Sequence, residues 1–459
     1  MKIETTFEPQ SAESKQASSM KATCPCLLIS APASNQGKTM ITAALAYYHR
    51  SKGHRVKVFK TGPDFLDPML LERASGQSVD SLDLWMTGEE QCRTLLFQAA
   101  RTNDIILVEG VMGLNDGSPS TADLAGKFNL PLAIVVDVSG MAETCKALAL
   151  GLKQLNPQLN FLGFLANNAG SERHSAIIAR ALGDDYLGAI ERNENLQVER
   201  RHLGLYQAGE IDQLESRLAA MTANLEKTVL AKMPPMTSFA SNQERPMPKL
   251  LAGKHIAVAR DNAFSFIYQA NLSCLEALGA SLSFFSPLKD RACPRADAVY
   301  LPGGYPELYL QDLASNTEMK QSLSRHKTSG GLIYAECGGM LYLLDALIDK
   351  AGRQENMAGL LHGEARMRNR LKSLGHQYFD TVYGAIRGHT FHYSETTMEE
   401  EICASAIKKT DAQEGERLYL DERGRILAGY LHLYFPSNPQ VAAAIFSGQA
   451  RSVFVKPKC

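Results

Sequence analysis

The sequence predicts two α/β domains in series, each built on a parallel sheet. Three observations lead there. From Leu27 to Ala166, short apolar runs alternate with stretches of helical period, the pattern of a parallel sheet covered on both faces. The first run, Leu27-Leu28-Ile29, enters a loop ending in Gly37-Lys38-Thr39 and then an amphipathic stretch from Met40 to Arg50, which is the strand–loop–helix order of a phosphate site. The alternation stops at a proline-bearing interlude, Met233 to Gly253, and restarts at Lys254. A chain of 459 residues has room for two or three domains. The expected boundaries are a disordered polar tail over 1–22, a first domain over 23–232, a linker over 233–253 stiffened by Pro234, Pro235, Pro246 and Pro248, and a second domain over 254–459.

Bulk properties narrow the function. Apolar residues make up 45% and charged residues 21%, enough for sizeable cores in a soluble chain. A net charge of −1 gives no global reason to bind nucleic acid or a membrane surface. Neither partner is expected, and a polyanionic ligand must meet a local basic patch. Residues 1–22 carry no apolar stretch of the signal-peptide kind. The longest apolar runs, such as Leu130 to Val136, are of strand length and far short of a membrane span. Nine scattered cysteines imply reduced thiols and a cytoplasmic location. Cys24-x-Cys26 has no second Cys/His pair at ligand spacing, so packing or surface thiols are favoured over a metal site. Composition is compatible with a homo-oligomer.

Within the phosphate loop, Ala31 to Thr39, backbone N–H groups and the helix start direct positive dipole at phosphate oxygens. Gly37, Lys38 and Thr39 are the expected nucleotide-binding residues, with the Thr39 hydroxyl available to Mg²⁺. Pro32 stands where the pattern usually begins with Gly, and Asn35 occupies a mid-loop position that suits left-handed backbone. Further strands are expected at Arg55 to Lys60, Ile105 to Val108, Leu132 to Val136 and Phe161 to Ala166, with helices at Gly88 to Ala100 and Met141 to Leu155. Chemistry in such sheets sits beyond the carboxyl ends of the strands. Acids are found there: Asp64 and Asp67 in the loop Gly62 to Pro68, Glu109 and Asp116 in the loop Glu109 to Gly117. A carboxylate directly after an apolar strand is placed to hold Mg²⁺ beside a phosphate loop, so Asp64 and Glu109 join Thr39 as expected metal ligands. Asn167-Asn168 follows the fourth strand and reads equally as a contact to the nucleotide base or as an Asn turn.

The second half carries a nucleophile. The apolar run Gly331 to Ala335 enters Glu336-Cys337-Gly338-Gly339, and an apolar helix is expected from Met340 to Ile348. A Cys at a sharp strand-to-helix turn is held exposed near the positive helix end, which lowers its pKa. The N–H of Gly338 is an expected oxyanion donor, and Gly304, in the loop Leu301 to Glu307, supplies a second. His432, in the strand-like run Ala428 to Ser437, is the candidate general base; a core histidine satisfied by its neighbours is the other reading. Arg366, Arg368, Arg370 and Lys372 form a basic run that either meets a polycarboxylate or, the favoured reading, covers a solvated helix face.

Beyond these patterns, Gly62 to Pro68, Ser81 to Met86, Glu109 to Gly117 and Arg201 to Leu205 resemble the corrin a,c-diamide synthases of cobalamin biosynthesis, from about Cys24 to Pro439. The resemblance implies an ATP-dependent amidoligase domain similar to dethiobiotin synthetase. There Asp64, Glu109 and Asp116 would serve metal, phosphate and acyl-phosphate chemistry, with Leu66 and Asp67 nearer the corrin. The Cys elbow, the Pro302-Gly303-Gly304-Tyr305-Pro306-Glu307 loop and the late His resemble a class I glutamine amidotransferase domain. Many of its members carry a Glu two residues after the His. Here that position is Tyr434, and the sequence does not identify a substitute. His389 and His392, in the family-like run Arg387 to Ser394, either contact substrate or shape the domain face. Phe65 replaces a usual Tyr, Asn115 a usual Phe, and Glu191-Arg192 a common Pro-Arg. The activity so implied takes ammonia released from glutamine at Cys337 and spends it on a corrin carboxylate phosphorylated by Mg-ATP, twice, along a closed path between domains. Its ligands are glutamine, ATP and a corrin polycarboxylate. Alternatives are cobyrate synthase, which amidates other positions of the ring, and a partitioning-type ATPase switch, which has no nucleophilic Cys.

Overall fold

In the computed structural model of the protein, residues 20–193, 200–201, 204–205, 214–241 and 246–454 are described. The first sheet contains β1 (Met20–Ser30), β2 (Val56–Thr61), β3 (Asp80–Leu82), β4 (Ile105–Glu109), β5 (Leu132–Asp137), β6 (Phe161–Ala169) and β7 (Tyr186–Glu191). Their order is β3-β2-β4-β1-β5-β6-β7, and every neighbouring pair is parallel. Strands buried on both faces require near-continuous apolar runs, and Leu27, Leu28 and Ile29 in the middle strand are at most 2% exposed. Each such side chain contributes about 1.5–3 kcal/mol by leaving water. Helix α1 (Lys38–Ser51) follows β1 directly, so the phosphate loop lies at the carboxyl edge of the sheet.

Two expected boundaries are corrected. β1 begins at Met20, so the last three residues of the expected tail are strand, and residues 1–19 lie outside the described residues. The expected linker supplies a strand of its own, Met236–Ser241, antiparallel to the outer half of β1 from Met20↔Ser241 to Pro25↔Met236. Its alternation buries Thr237, Phe239 and Ser241, a period-2 signal that the flanking prolines conceal. Of the run Arg201 to Leu205, His202 and Leu203 lie outside the described residues.

Among the described residues the second sheet has ten strands. Its parallel part runs Ser281–Phe285, His255–Ala259, Ala298–Leu301, Leu332–Glu336, Ile426–Gly429. An antiparallel extension, Glu414–Leu420, Glu401–Lys408, Ser373–Phe379, Ile386–His392 and His432–Leu433, continues it. The run read as one strand around His432 is therefore two, on different neighbours. The expected helix from Met340 to Ile348 is also divided. It spans Gly338–Leu343, Leu344 turns extended, and Ala346–Ile348 forms a strand beside Gly363–Met367. A short apolar run does not distinguish the two states by periodicity. Nor is the basic run helical. Arg366 points out of the strand Gly363–Met367, between buried Ala365 and Met367, while Arg368 and Lys372 both pair with Glu395.

The domains join where the carboxyl ends of their sheets meet. Phe65, Met86, Tyr268 and Tyr434 form one buried cluster across the junction. Phe65 stacks on Phe266 at 5.1 Å between ring centroids. At the rim, Arg387 Nη1 donates to Trp85 O at 2.8 Å, and Lys409 Nζ donates to Ser118 O. Among the described residues no helix is long and apolar enough to cross a membrane.

Asp83 is the polar anchor of this junction. It accepts from the backbone N–H groups of Trp85 and Met86, both at 2.8 Å, and from His376 Nε2 of the second domain, also at 2.8 Å. Burial alone would raise its pKa, but His376 and the two amides outweigh burial and hold the carboxyl below its ordinary value. Such a group stabilises the fold above the unfolded-state pKa, and the contribution is lost as pH falls through the lower folded-state value. Asp83→Ala should cost about 2–4 kcal/mol in urea unfolding, and combining it with His376→Ala should cost less than the sum. Strict additivity would show that the two side chains do not couple the domains.

Candidate functional site

The phosphate loop is shaped by its own backbone and by a clamp from β6. Asn35 adopts φ 65° and Gly37 φ 95°, both left-handed, as the Asn and Gly at those positions permit. Asn167 Nδ2 donates to Gln36 O at 2.9 Å, and Gln36 Oε1 in turn accepts from Asp137 N at 2.8 Å. Asn167 thus holds the loop, a contact that the base-or-turn reading did not foresee. Asn168, at φ 59°, bonds Asp137 Oδ2. Lys38 Nζ donates to Ala33 O at 3.2 Å and Met112 O at 2.5 Å, so its ammonium curls back over the loop. Burial, then the charge of Lys60, pushes its pKa down to about 8. A bound anion would favour the charged form.

Three of the four expected acids gather beside Thr39. Its Oγ1 donates to Glu109 Oε1 at 2.7 Å. Lys60, which the sequence reading missed, is 3% exposed and bridges Asp67 Oδ2 at 2.7 Å and Glu109 Oε1 at 2.9 Å. The available signal was a Lys on a buried position near the carboxyl end of the strand Val56–Thr61. Asp64 caps the next helix, accepting from Leu66 N and Asp67 N. Desolvation, then the charge of Asp67, pushes its carboxyl up to about 8. Burial would likewise raise Asp67, but Lys60 outweighs it and holds Asp67 below its ordinary value. Asp116 is set apart: its Oδ2 accepts from Gly113 N at 2.8 Å and tightens the turn after β4.

These residues suit a Mg²⁺ of the nucleotide-site kind. Glu109 Oε2 is buried without a hydrogen-bond partner among the described residues, and the Thr39 hydroxyl touches the same carboxylate. Among the described residues no three His, Cys, Asp or Glu side chains form a metal cage. A few protein ligands, with phosphate oxygens and water completing the shell, is the usual arrangement for Mg²⁺.

In the second domain, Cys337 closes the strand Leu332–Glu336 with φ 45° and ψ −111°, strained backbone of the kind found at nucleophile elbows. The neighbouring glycines are required by close approach. A Cβ on Gly338 would lie 2.9 Å from Gly304 N, and one on Gly304 would lie 2.0 Å from Ala263 O. The backbones of Gly338 and Gly304 therefore lie side by side, as two donors to one oxygen must. The expected low thiol pKa is not found: burial, then the charge of Glu307, pushes Cys337 up, against the Gly338 N–H. Six residues of helix do not offset desolvation. His432 is likewise driven down to about 3 by burial and then His392, so the pair rests as thiol and neutral imidazole.

His432 lies beneath Phe65, with ring centroids 5.0 Å apart, and stacks on His389 at 5.2 Å. Its Nδ1 has no hydrogen-bond partner among the described residues. Glu336 Oε2 lies 3.9 Å from it. His389 Nδ1 bonds Tyr268 OH at 2.9 Å. His392 turns its two nitrogens to Ser394 O and Glu416 Oε1 and stacks on Tyr430 at 3.6 Å. One cavity is lined by Cys337, His432, His389, His392 and Gly304 from the second domain and by Asp64, Phe65 and Leu66 from the first. Of the expected residues the chamber takes Cys337, His432, His389, His392 and Gly304 from the second domain and Asp64 and Leu66 from the first; the phosphate-loop residues, Asp67, Glu109, Asp116, Asn167 and Gly338 are not part of its lining.

Comparison with known proteins agrees in both halves. Residues 27–205 match a family described as the CobQ/CobB/MinD/ParA nucleotide binding domain, and residues 255–440 one described as the CobB/CobQ-like glutamine amidotransferase domain. A protein of Stutzerimonas stutzeri named hydrogenobyrinate a,c-diamide synthase is 50% identical, covering 92% of this chain and 98% of its own. One of the same name from Pseudomonas aeruginosa is 48% identical, covering 93% and 98%. A cobyrinate a,c-diamide synthase of Herminiimonas arsenicoxydans is 44% identical, covering 93% and 97%.

The loop clamp can be tested alone. A Cβ on residue 37 would sit 2.3 Å from Asn167 Nδ2 in a backbone conformation that L-residues disfavour. Gly37→Ala should therefore weaken ATP binding at least about tenfold in titration calorimetry. Unchanged affinity would show that nucleotide does not need this loop shape.

Proposed function

The chain belongs to the corrin a,c-diamide synthases, glutamine-dependent ligases, and from that membership we propose how its two sites divide the amidation of the a and c carboxylates of hydrogenobyrinate or cobyrinate. Cys337 attacks the carboxamide carbon of glutamine, with His432 accepting the thiol proton and Gly304 and Gly338 N–H groups facing the developing oxyanion. Ammonia leaves with that proton, and water then hydrolyses the thioester. At the other site ATP occupies the Gly37-Lys38-Thr39 loop. A carboxylate resists attack by ammonia, so transfer of the γ-phosphoryl group to it supplies a leaving group; ammonia then displaces phosphate and leaves an amide. Mg²⁺, held by Thr39 and Glu109, would neutralise charge on the phosphates. Lys60 holds Asp67 below its ordinary value and opposes the burial that raises Glu109, and Asp64 stands nearest the reacting carboxylate, with Leu66 against the ring.

The observation that carries this reading is the cavity with Cys337 and His432 at one side and Asp64 and Leu66 at the other. Ammonia released at the sulfur enters the space that the acceptor's carboxylate must reach, under the cover of Phe65 and Phe266. The metal-free ring is the one named for the relatives at 50% and 48% identity, and we take it as substrate. The reduced thiols expected from sequence support a cytoplasmic setting.

Mass spectrometry of products from each ring, with ATP and glutamine, tests the substrate directly. Two added amide groups should appear on the metal-free ring; turnover of the cobalt-bearing ring alone would overturn that choice. Cys337→Ala should abolish glutamine-supported amidation and leave it intact with high ammonium; equal loss with both nitrogen sources contradicts the division of labour. Lys38→Ala should lower ATP-dependent product formation by about 100-fold or more while glutamine still acylates Cys337. Normal product formation would remove the loop from the reaction.

A further inference from the structure

The residue two positions after His432 is Tyr434, which is fully buried in the apolar cluster between the domains and offers no carboxylate. An acid stands on the other side of the ring. Glu336, directly before the nucleophile, is 2% exposed, and its Oε2 lies 3.9 Å from His432 Nδ1. Among the described residues no other carboxylate lies within 4.0 Å of either nitrogen of that ring. Glu416 is engaged by His392 at 3.0 Å, and Glu307 lies on the Cys337 side of the chamber.

Glu336 is held firmly. Oε1 accepts from Tyr334 OH at 2.7 Å and Leu433 N at 3.0 Å, and Oε2 accepts from Tyr300 OH at 2.7 Å. The Leu433 contact matters most, because it fastens the carboxylate to the backbone of the residue after His432. Three donors fix Glu336, while His432 Nδ1, the remaining buried nitrogen beside it, has no hydrogen-bond partner among the described residues.

Resting on the glutaminase reading above, we infer that Glu336 is the positioning residue for His432, taking from the strand before the elbow the task for which position 434 has no acid. With the Nδ1 proton turned to Glu336, the ring's one unprotonated nitrogen is Nε2, which accepts the Cys337 thiol proton as the S–C bond forms. The imidazolium so produced is stabilised by the carboxylate and returns its proton to the departing nitrogen. A separation of 3.9 Å shortens to a hydrogen bond when glutamine fills the chamber, as contacts of this kind do on substrate binding.

Glu336→Gln is the test, because the amide keeps the length of the side chain and can bond both tyrosines and Leu433 N. The expected result is a fall of about 100-fold or more in glutamine-dependent kcat with KM for glutamine little changed. Ammonium-supported amidation should be retained, and a diazoketone glutamine analogue should inactivate Cys337 more slowly at saturation. Glu336→Asp, which keeps the charge, should recover part of the loss. Glutamine-dependent kcat within about threefold of the parent, or equal loss with both nitrogen sources, overturns the inference. If Glu336→Gln does not fold, Glu336→Asp is read in the same assay: loss confined to glutamine supports the role, and equal loss overturns it. Failure of Cys337→Ala to abolish glutamine use would sink the underlying reading instead, so the two failures are distinct.

Discussion

The apolar seam around Phe65 is the constraint on which the other contacts depend. Phe65 lies in the loop after β2, where the acids of the first domain gather, yet its ring packs on Phe266, Tyr268, His389 and His432 of the second. Four ring contacts of this kind bury a large area and fix relative orientation, since aromatic pairs favour offset and edge geometries. Move the seam, and His432 loses its cover and the acidic loop loses its position together. The acidic loop and the histidine pair are thereby joined through packing.

Much of this was legible in the sequence where local chemistry is self-announcing. A Gly-Lys-Thr junction, a Glu-Cys-Gly-Gly elbow and alternating apolar runs each specify backbone geometry within a few residues, and the structure has them where they were read. Residues whose role arises from distant strands were not legible. Lys60 sits one residue before the end of a strand that also carries Lys57, and Glu336 ends its strand, where a charge looks like a solvated terminus; only the strand order places one against Asp67 and Glu109 and the other against His432. Asp83 read as part of a family-like segment, yet its partner His376 is 293 residues away. The Met340 to Ile348 run was misread because a short apolar run fits helix and strand alike. The thiol pKa was misread because the elbow's positive end is visible in sequence and its burial is not.

The buried charges of the first domain show what the site is organised to receive. Moving Lys60, Asp67 and Glu109 out of water costs several kcal/mol per ion, and their mutual contacts offset that cost only in part, since Glu109 Oε2 is left without a hydrogen-bond partner among the described residues. Burial would lower the Lys60 pKa, but the two carboxylates outweigh it and keep the ammonium charged. Asp64 is pushed the other way. An arrangement that leaves a carboxylate oxygen unsatisfied and one acid reluctant to ionise is poorly suited to stability alone. It is suited to a cation and phosphate oxygens arriving together, when the orphan oxygen and the loop N–H groups gain their partners at the same moment.

The placement of the acid that faces His432 follows from the seam. Position 434 points into the cluster of Phe65, Met86 and Tyr268, where a carboxylate would lie among apolar rings at a cost of several kcal/mol. A tyrosine fills that volume and stacks edge-on against Tyr268 at 5.5 Å. The other side of the histidine faces the interior of the second sheet, where Tyr300, Tyr334 and Leu433 N already provide three donors to a carboxylate. An acid is therefore tolerated on the strand before Cys337 and excluded from position 434, just past the strand that carries His432. The domain that docks Phe65 against His432 carries a buried ring at position 434, and the junction between the domains decides which side of the imidazole a carboxylate can occupy.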